Sequence, residues 1–395
     1  VSAPLAIDDA LERVLARAAP LPAEDVPLAT ALGRVLAADV AAAVDLPPFP
    51  SSAMDGYALR ADDVPGRLPV VGESAAGRPF GAPLQPGTAV AVSTGAVVPD
   101  GADAVVPVED VRSDGAAVEI ATVAKGANIR PVAGDVAAGT VVAGRGAALT
   151  PARIAALAGA GLAAVPCAAR PRVAVLSTGS ELRAPGSPLA PGEIYESNAL
   201  LLAAQATTAG ALAEARRPVP DAEPLLRDAL EAALDADVLL TSGGVSVGPH
   251  DLVRRLLAEA GVDEVFWGVA VRPGKPLFFG TRERTLVFGL PGNPVSALVC
   301  FELFVRPALR ALQGSARPGP AYRPGRLAAP VRRDVHRDQL VRATARVERD
   351  GIVLDPVRGQ ESHMIVRASS ADALVLVPRG EGELPPAEAV SYLPL

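Results

Sequence analysis

Three glycine- and proline-rich loops hold the residues of this chain best suited to chemistry. The first, Thr241-Ser242-Gly243-Gly244-Val245-Ser246-Val247-Gly248-Pro249-His250-Asp251, follows the apolar run Asp237-Val238-Leu239-Leu240 and precedes leucines at helical spacing. Its glycines therefore lie where a strand hands over to a helix. Unpaired N–H groups and the helix dipole favour an anion at such a junction, and Asp251 adds a carboxylate of the kind magnesium prefers. The bland alternative is a tight turn with Asp251 capping the helix.

The second loop, Arg272-Pro273-Gly274-Lys275-Pro276, sets two cations three residues apart between stiffening prolines, a layout that suits an anion clamp. Only Lys125 and Lys275 are lysines among the 37 basic residues, which singles out the ammonium group in this loop. The third, Leu290-Pro291-Gly292-Asn293-Pro294-Val295-Ser296, opens an amphipathic helix whose first N–H groups are free. A fourth turn, Ser177-Thr178-Gly179-Ser180-Glu181, closes the buried-strand pattern Arg172-Val-Ala-Val-Leu176 and again ends in a carboxylate.

The elements that position these loops follow from where the pattern changes. Residues from Ile7 to Val44 read as helices, with Leu11, Val14 and Leu15 on one face and an alanine-rich second segment that ends at Asp45-Leu-Pro-Pro-Phe-Pro. Short β runs such as Ala89–Val92 and Ala104–Val108 fill the stretch to about Ala138, and helix returns at Pro151, where proline suits a first turn. From Arg172 to about Leu312 strands and helices alternate, which predicts a doubly wound α/β unit with its site at the carboxyl ends of the strands. Alternating strands such as Leu340–Val347 and Ala373–Val377 predict a small, barrel-like C-terminal β domain or partial barrel. These changes of pattern divide the chain into helical stretches at 1–46 and 139–170, a β-rich stretch at 47–138, the α/β domain at 171–314 and the C-terminal β domain at 315–395.

Composition bounds the function. A chain of 395 residues exceeds one core, and with aromatics at 3% its cores must be built mainly from Ala, Val and Leu. A formal charge of −7 argues against nucleic acid as partner, so an anionic ligand must be held by local cations. Cys167 and Cys300 show neither metal spacing nor a disulfide framework, and His250, His336 and His363 are too scattered for a zinc site. No basic segment precedes an apolar core at the N-terminus, and no long uncharged apolar run occurs. A cytoplasmic protein without membrane contact is expected.

In order along the chain, Pro50-Ser-Ser-Ala-Met-Asp55-Gly-Tyr-Ala58, Ser93-Thr94-Gly95-Ala96, Pro99-Asp-Gly-Ala-Asp103, Gly126-Ala-Asn-Ile-Arg130, Ser177–Leu182 and the three loops above resemble the molybdopterin molybdenumtransferase family, which includes gephyrin-type E domains. The resemblance implies that 1–46 and 139–170 form one helical linker domain, with 47–138 as a β-rich insertion within it. It also implies insertion of molybdate into adenylylated molybdopterin with release of AMP, in an elongated homodimer whose β-rich insertion leans over the α/β site of the other subunit. It implies Glu181 and Asp251 as Mg²⁺ or pyrophosphate ligands, with Asp221, Asp55 and Thr94 as further functional positions. Lys275 and Arg272, together with Ser246, Pro291, Pro294 and Ser296, would line the substrate site, and Arg337, Arg342 and Ser362 would complete an oxoanion pocket. The family commonly has lysine at the positions of Arg272 and Gly268, so one basic contact is missing here. A molybdopterin adenylyltransferase, which is also a candidate partner, shares the α/β unit but not the other domains. A non-catalytic scaffold or inactive paralogue is the reading from a different class.

Overall fold

The computed structural model describes residues 3–244 and 252–395. Its centre is a six-stranded mixed sheet in the order Leu212–Ala215, Arg172–Ser177, Val238–Ser242, Thr285–Leu290, Phe278–Arg282, Asp263–Trp267. The first four strands are parallel and the last two antiparallel, so the α/β pattern read from the sequence ends in an antiparallel edge.

Pleating sends successive side chains to opposite faces, and both faces here are covered. Val173, Val175, Leu240 and Phe288 pack on one side with the helices Ile7–Leu15 and Asn198–Thr208 and the helical run from Pro294 to Leu312. Ala174, Leu176, Leu239 and Val287 pack on the other with Glu223–Ala233 and Leu252–Glu259. Aliphatic residues dominate, as the composition requires, although Phe266, Phe279 and Phe288 pack in a row as mutually tilted rings with centroids 5.6 and 4.8 Å apart.

The expectation of helix through the alanine-rich segment to Val44 is corrected. Helix stops at Leu15; Ala23–Pro27 is a strand, Leu28–Thr30 a single 3-10 turn and Val40–Ala41 a short strand. Pro20, Pro22 and Pro27 lack the N–H that helix needs. The remaining N–H groups find partners across the chain instead, in antiparallel pairing of Ala23–Pro27 with Ala164–Ala168. Those two strands bring the chain back to its starting unit on either side of the insertion. Pro151–Gly159 is helical as read, with Pro151 in the first turn and the Thr150 hydroxyl accepting from Arg153 N–H at 3.3 Å.

The insertion holds a six-stranded sheet in the order Ala104–Pro107, Gly56–Leu59, Ala89–Val92, Gly66–Ser74, Ala117–Ile120, Arg112–Ser113. Toward the C-terminus, Asp338–Glu348, Gly351–Pro356, Arg323–Leu327, Ala389–Pro394 and Ala373–Val377 close into a five-stranded barrel, because the first strand also pairs with the last. Leu340, Leu374 and Leu393 of the barrel join the α/β core, which seats the barrel beside the sheet. No helix among the described residues is long and apolar enough to cross a membrane.

One buried ion pair secures the long helical run. Glu302, in the short π-helical stretch Phe301–Val305, is 8% exposed and accepts from Gln205 Nε2 at 2.7 Å and from Arg306 Nε and Nη2 at 2.6 and 2.8 Å. Glu302→Ala would strand the guanidinium and the amide together. The expected cost is about 3 kcal/mol, seen as a lower urea midpoint, with Glu302→Gln in between; equal midpoints for parent and Ala variant would remove the pair from the stabilising set.

Candidate functional site

A cavity of about 1010 Å³ opens at the carboxyl ends of the parallel strands. Its floor is made by three turns, each leaving a strand: Thr178-Gly179 after Ser177, Gly243-Gly244 after Ser242, and Gly292-Asn293 after Leu290. Gly243 and Gly244 have φ of +95° and +66°, and a Cβ on Gly243 would lie 2.6 Å from the Thr178 carbonyl oxygen. Glycine is therefore needed both for the backbone angle and for the close approach of two turns.

Asn198 ties these turns together, donating from Nδ2 to Ser242 Oγ at 2.8 Å and to the Gly292 carbonyl at 2.7 Å. Glu196, 5% exposed, accepts from Ser177 Oγ at 2.8 Å and from Ala199 N–H at 2.6 Å, which caps the helix that carries Asn198. Two buried polar atoms lining the cavity, Thr178 Oγ1 and Asn198 Oδ1, have no protein hydrogen-bond partner. Buried polar groups are costly when unsatisfied, so a polar ligand group is the natural complement of this floor.

Glu181 and Asp221 both line the cavity. The Glu181 carboxylate folds back over its own turn, where a Cβ on Gly179 would meet Oε2 at 2.7 Å. Ser180 links the two acids: its N–H donates to Asp221 Oδ2 at 3.3 Å, and its Oγ accepts from Asp221 N–H at 3.1 Å. Pro294 lines the same cavity, whereas Pro291 lies buried beneath it with its carbonyl 3.5 Å from Ser242 Oγ. Ser296 is 4% exposed within its helix. Ser246, His250 and Asp251 lie outside the described residues.

Among the lining residues that the sequence reading missed are Asn198, Arg255 and His363. Asn198 stands in the polar triplet Glu196-Ser197-Asn198 ahead of an apolar helix, a signal that could have found it. Arg255 is held by Glu223 at 2.5 Å and Glu259 at 2.8 Å, within an ion-pair network that also includes Arg227. His363 arrives from the C-terminal segment, next to Ser362, whose carbonyl accepts from Val295 N–H at 3.1 Å.

The basic residues expected from the sequence to bind the anions do not line this cavity. Arg272 lines a second cavity, of about 710 Å³, with Arg332, Arg333 and His336. Arg272 and Arg337 both reach Asp334, at 3.5 and 2.9 Å. Lys275 is exposed and lines neither of these cavities. Arg342 is 1% exposed inside the barrel and donates to Gln360 Oε1 and to the carbonyls of Glu361 and Gly359, at 3.3, 3.3 and 2.9 Å. Each of its three side-chain nitrogens donates to the 359–361 turn. Burial lowers its pKa, against the opposing influence of Glu361.

Gly268, where the resemblance leads one to look for lysine, has φ +89° and is pinned between Leu5 and Leu277 by backbone hydrogen bonds of 3.1 and 2.8 Å. A left-handed residue at this junction favours glycine. In the insertion, Thr94 N–H and Oγ1 both donate to Asp55 Oδ1, at 2.6 and 2.9 Å, and hold the Asp55 carboxyl below its ordinary pKa, the N–H most strongly. The pair is exposed and lines neither cavity of its own chain.

Asp334 offers a pH test of the second cavity. Burial works to raise its pKa, but the N–H groups of His336 and Arg337 and the Arg337 guanidinium outweigh it and lower the value to about 2 from 3.8. A depressed carboxyl stabilises fully above the unfolded value and progressively less as pH falls through the folded one. Asp334→Asn should therefore melt below the parent at pH 7, with the difference shrinking as pH drops below about 4. A gap independent of pH, measured by differential scanning calorimetry, would contradict the assignment.

Comparison with known proteins agrees with this geometry. Residues 5–161 match the MoeA N-terminal region (domain I and II), residues 174–311 a "Probable molybdopterin binding domain", and residues 324–395 the MoeA C-terminal region (domain IV). Molybdopterin molybdenumtransferase 2 of Mycobacterium tuberculosis is 46% identical over 321 residues, covering 77% of this chain and 78% of that protein. The molybdopterin molybdenumtransferase of Haemophilus influenzae is 35% identical over 398 residues, covering 99% and 98%. The crystal structure of a molybdopterin biosynthesis moea protein from Pyrococcus horikosii superposes with a TM-score of 0.84 at 31% identity, covering 99% of each chain. With relatives matched along its whole length and all three regions present in order, the chain belongs to the molybdopterin molybdenumtransferase family.

Proposed function

We propose that this chain inserts molybdenum from molybdate into adenylylated molybdopterin, with cleavage of the phosphoanhydride and release of AMP. The observation that carries the reading is the first cavity: three strand-end turns, the carboxylates of Glu181, Glu196 and Asp221 and two unpartnered buried polar atoms, in the segment matched to the molybdopterin-binding region. Backbone turns and Asn198 orient the anionic substrate. The reacting sulfurs belong to the substrate, so no nucleophilic side chain is required, and positioning and electrostatics supply the rate.

The donor set fits magnesium. Among the described residues no three His, Cys, Asp or Glu side chains are grouped to hold a metal. Magnesium, however, is commonly held by one or two carboxylates together with substrate phosphates and water. Glu181 would hold it, with Asp221 in the same cavity and Asp251, which lies outside the described residues, as the proposed second carboxylate; it would supply charge neutralisation at the pyrophosphate. Lys275 and Arg272 would collect molybdate before transfer. In this reading the protein works in the cytoplasm, and a molybdopterin adenylyltransferase supplies its substrate.

The test is AMP release from adenylylated molybdopterin and molybdate, with and without Mg²⁺. In that assay Lys275→Ala should raise half-saturating molybdate about tenfold or more, and Lys275→Arg should recover part of the loss. Absence of AMP release by the parent, with and without Mg²⁺, would reject the function; an unaltered molybdate requirement would reject Lys275.

The reading includes a homodimer with shared sites, in which Asp55 and Thr94 of one subunit complete the other's cavity. Supporting it, Thr94 holds the Asp55 carboxylate through Oδ1 alone, at an exposed position in the insertion. Mixing Asp55→Ala with Glu181→Ala under subunit exchange leaves heterodimers with one intact and one doubly damaged site. Random pairing of equal amounts then restores activity toward about a quarter of the parent. No recovery after confirmed exchange would put both residues in the same chain's site.

A further inference from the structure

The first cavity is not polar throughout. Part of its lining comes from a folded-over segment, Leu182–Tyr195, which presents Leu182, Ile194 and Tyr195. Ile194 is 54% exposed and Tyr195 46%, in a chain whose Phe278, Phe279, Phe288, Phe301 and Phe304 are all buried. Among the described residues, Tyr195 is the only Tyr, Phe or Trp lining this cavity. Leaving such apolar surface open is unfavourable by roughly 25 cal/mol per Å² until a ligand covers it.

The segment is rigidly held. The short strand Ile194–Tyr195 runs parallel to Leu182–Arg183. Ile194 N–H donates to the Glu181 carbonyl at 3.0 Å and Glu196 N–H to the Arg183 carbonyl at 2.8 Å. Arg183 pairs with Glu193, whose Oε2 also accepts from Ala190 N–H at 2.8 Å. Most informative is the tyrosine hydroxyl, which donates to the Ser187 carbonyl at 2.9 Å. With its hydroxyl engaged by a backbone carbonyl of the same segment, Tyr195 offers a ligand chiefly its ring. The same stretch of chain thus supplies the Thr178 turn and the Glu181 carboxylate on one side of Tyr195 in sequence, and Asn198 on the other.

We propose that Tyr195, flanked by Ile194, is the stacking platform for a planar heteroaromatic ring of the substrate, and so a specificity-determining residue of the cavity. This rests on the functional reading above, in which the substrate carries two such rings, a purine and a pterin. Their shared chemistry is a flat π face, and stacking of a base on an aromatic side chain contributes about 1–3 kcal/mol, or roughly 5- to 150-fold in affinity. A polar floor beside a flat apolar wall suits a ligand that is anionic at one part and aromatic at another.

The experiment is isothermal titration of the full-length parent, Tyr195→Phe, Tyr195→Leu and Tyr195→Ala with AMP and, separately, with molybdopterin that lacks the adenylyl group. The expected result is that Tyr195→Phe keeps the parent affinity, while Tyr195→Leu and Tyr195→Ala weaken one ligand about tenfold or more and leave the other unchanged. The ligand that weakens identifies the stacked ring. Tyr195→Leu separates stacking from bulk, since it keeps apolar volume and removes the ring, and it keeps the test decisive should Tyr195→Ala fold poorly. Both ligands binding the Leu variant as they bind the parent would overturn the platform. So would unchanged affinities with an altered sedimentation coefficient, which would make Tyr195 a contact between copies of the chain. A parent that binds neither ligand overturns it as well. A parent that binds AMP or molybdopterin through Tyr195 yet releases no AMP from adenylylated substrate leaves the platform standing and overturns only the proposed reaction.

Discussion

Burial of the strands Arg172–Ser177 and Val238–Ser242 on both faces is the constraint on which the site depends. Every backbone group in them must be paired within the sheet, and every side chain must fit one of two cores. Register is then fixed, since a slip of one residue would exchange the faces that Val173 and Ala174 occupy. Fixed register sets where each strand ends. Thr178 and Gly243 arrive side by side for that reason, and their turns can approach closely only because no Cβ intervenes.

From that handover the rest of the cavity follows by successive tethers. Glu196 caps the helix that carries Asn198, and Asn198 bridges the second and third turns. Ser180 joins the turn of Glu181 to Asp221. The C-terminal segment closes on the same place because the Ser362 carbonyl meets Val295 N–H at the start of a helix. The barrel is in turn seated on the sheet by Leu340, Leu374 and Leu393. A distant β structure therefore contributes His363 to a cavity built by an α/β sheet.

Charge is distributed differently from ligand-binding polarity. Among the described residues the first cavity uses neutral donors and acceptors with the carboxylates of Glu181, Glu196 and Asp221, and its one arginine, Arg255, is paired with Glu223 and Glu259, whereas Arg272, Arg332 and Arg333 line the second cavity. Arg342 illustrates the difference between being basic and being available. Its guanidinium holds the 359–361 turn, so its contribution to the first cavity runs through the position of that turn and of the adjoining Ser362 and His363.

Much was legible in the amino-acid order. Apolar runs followed by glycine turns located the strand ends, the period of Leu and Val located the sheet and its helices, and the ordered motifs from Pro50 to Ser296 pointed to the family. These are local properties, set by backbone angles, missing N–H groups and side-chain period within a few residues. The alanine-rich segment before Val44 was misread because its N–H groups are satisfied by strands more than a hundred residues away, a partnership that no local pattern records. Tertiary structure alone decided that Asn198, Arg255 and His363 meet at one cavity, that Arg272 faces another, and that Arg342 is buried. The physical reason is the same each time: whether a polar side chain is free for a ligand depends on which distant groups already hold its hydrogen bonds, and packing settles that.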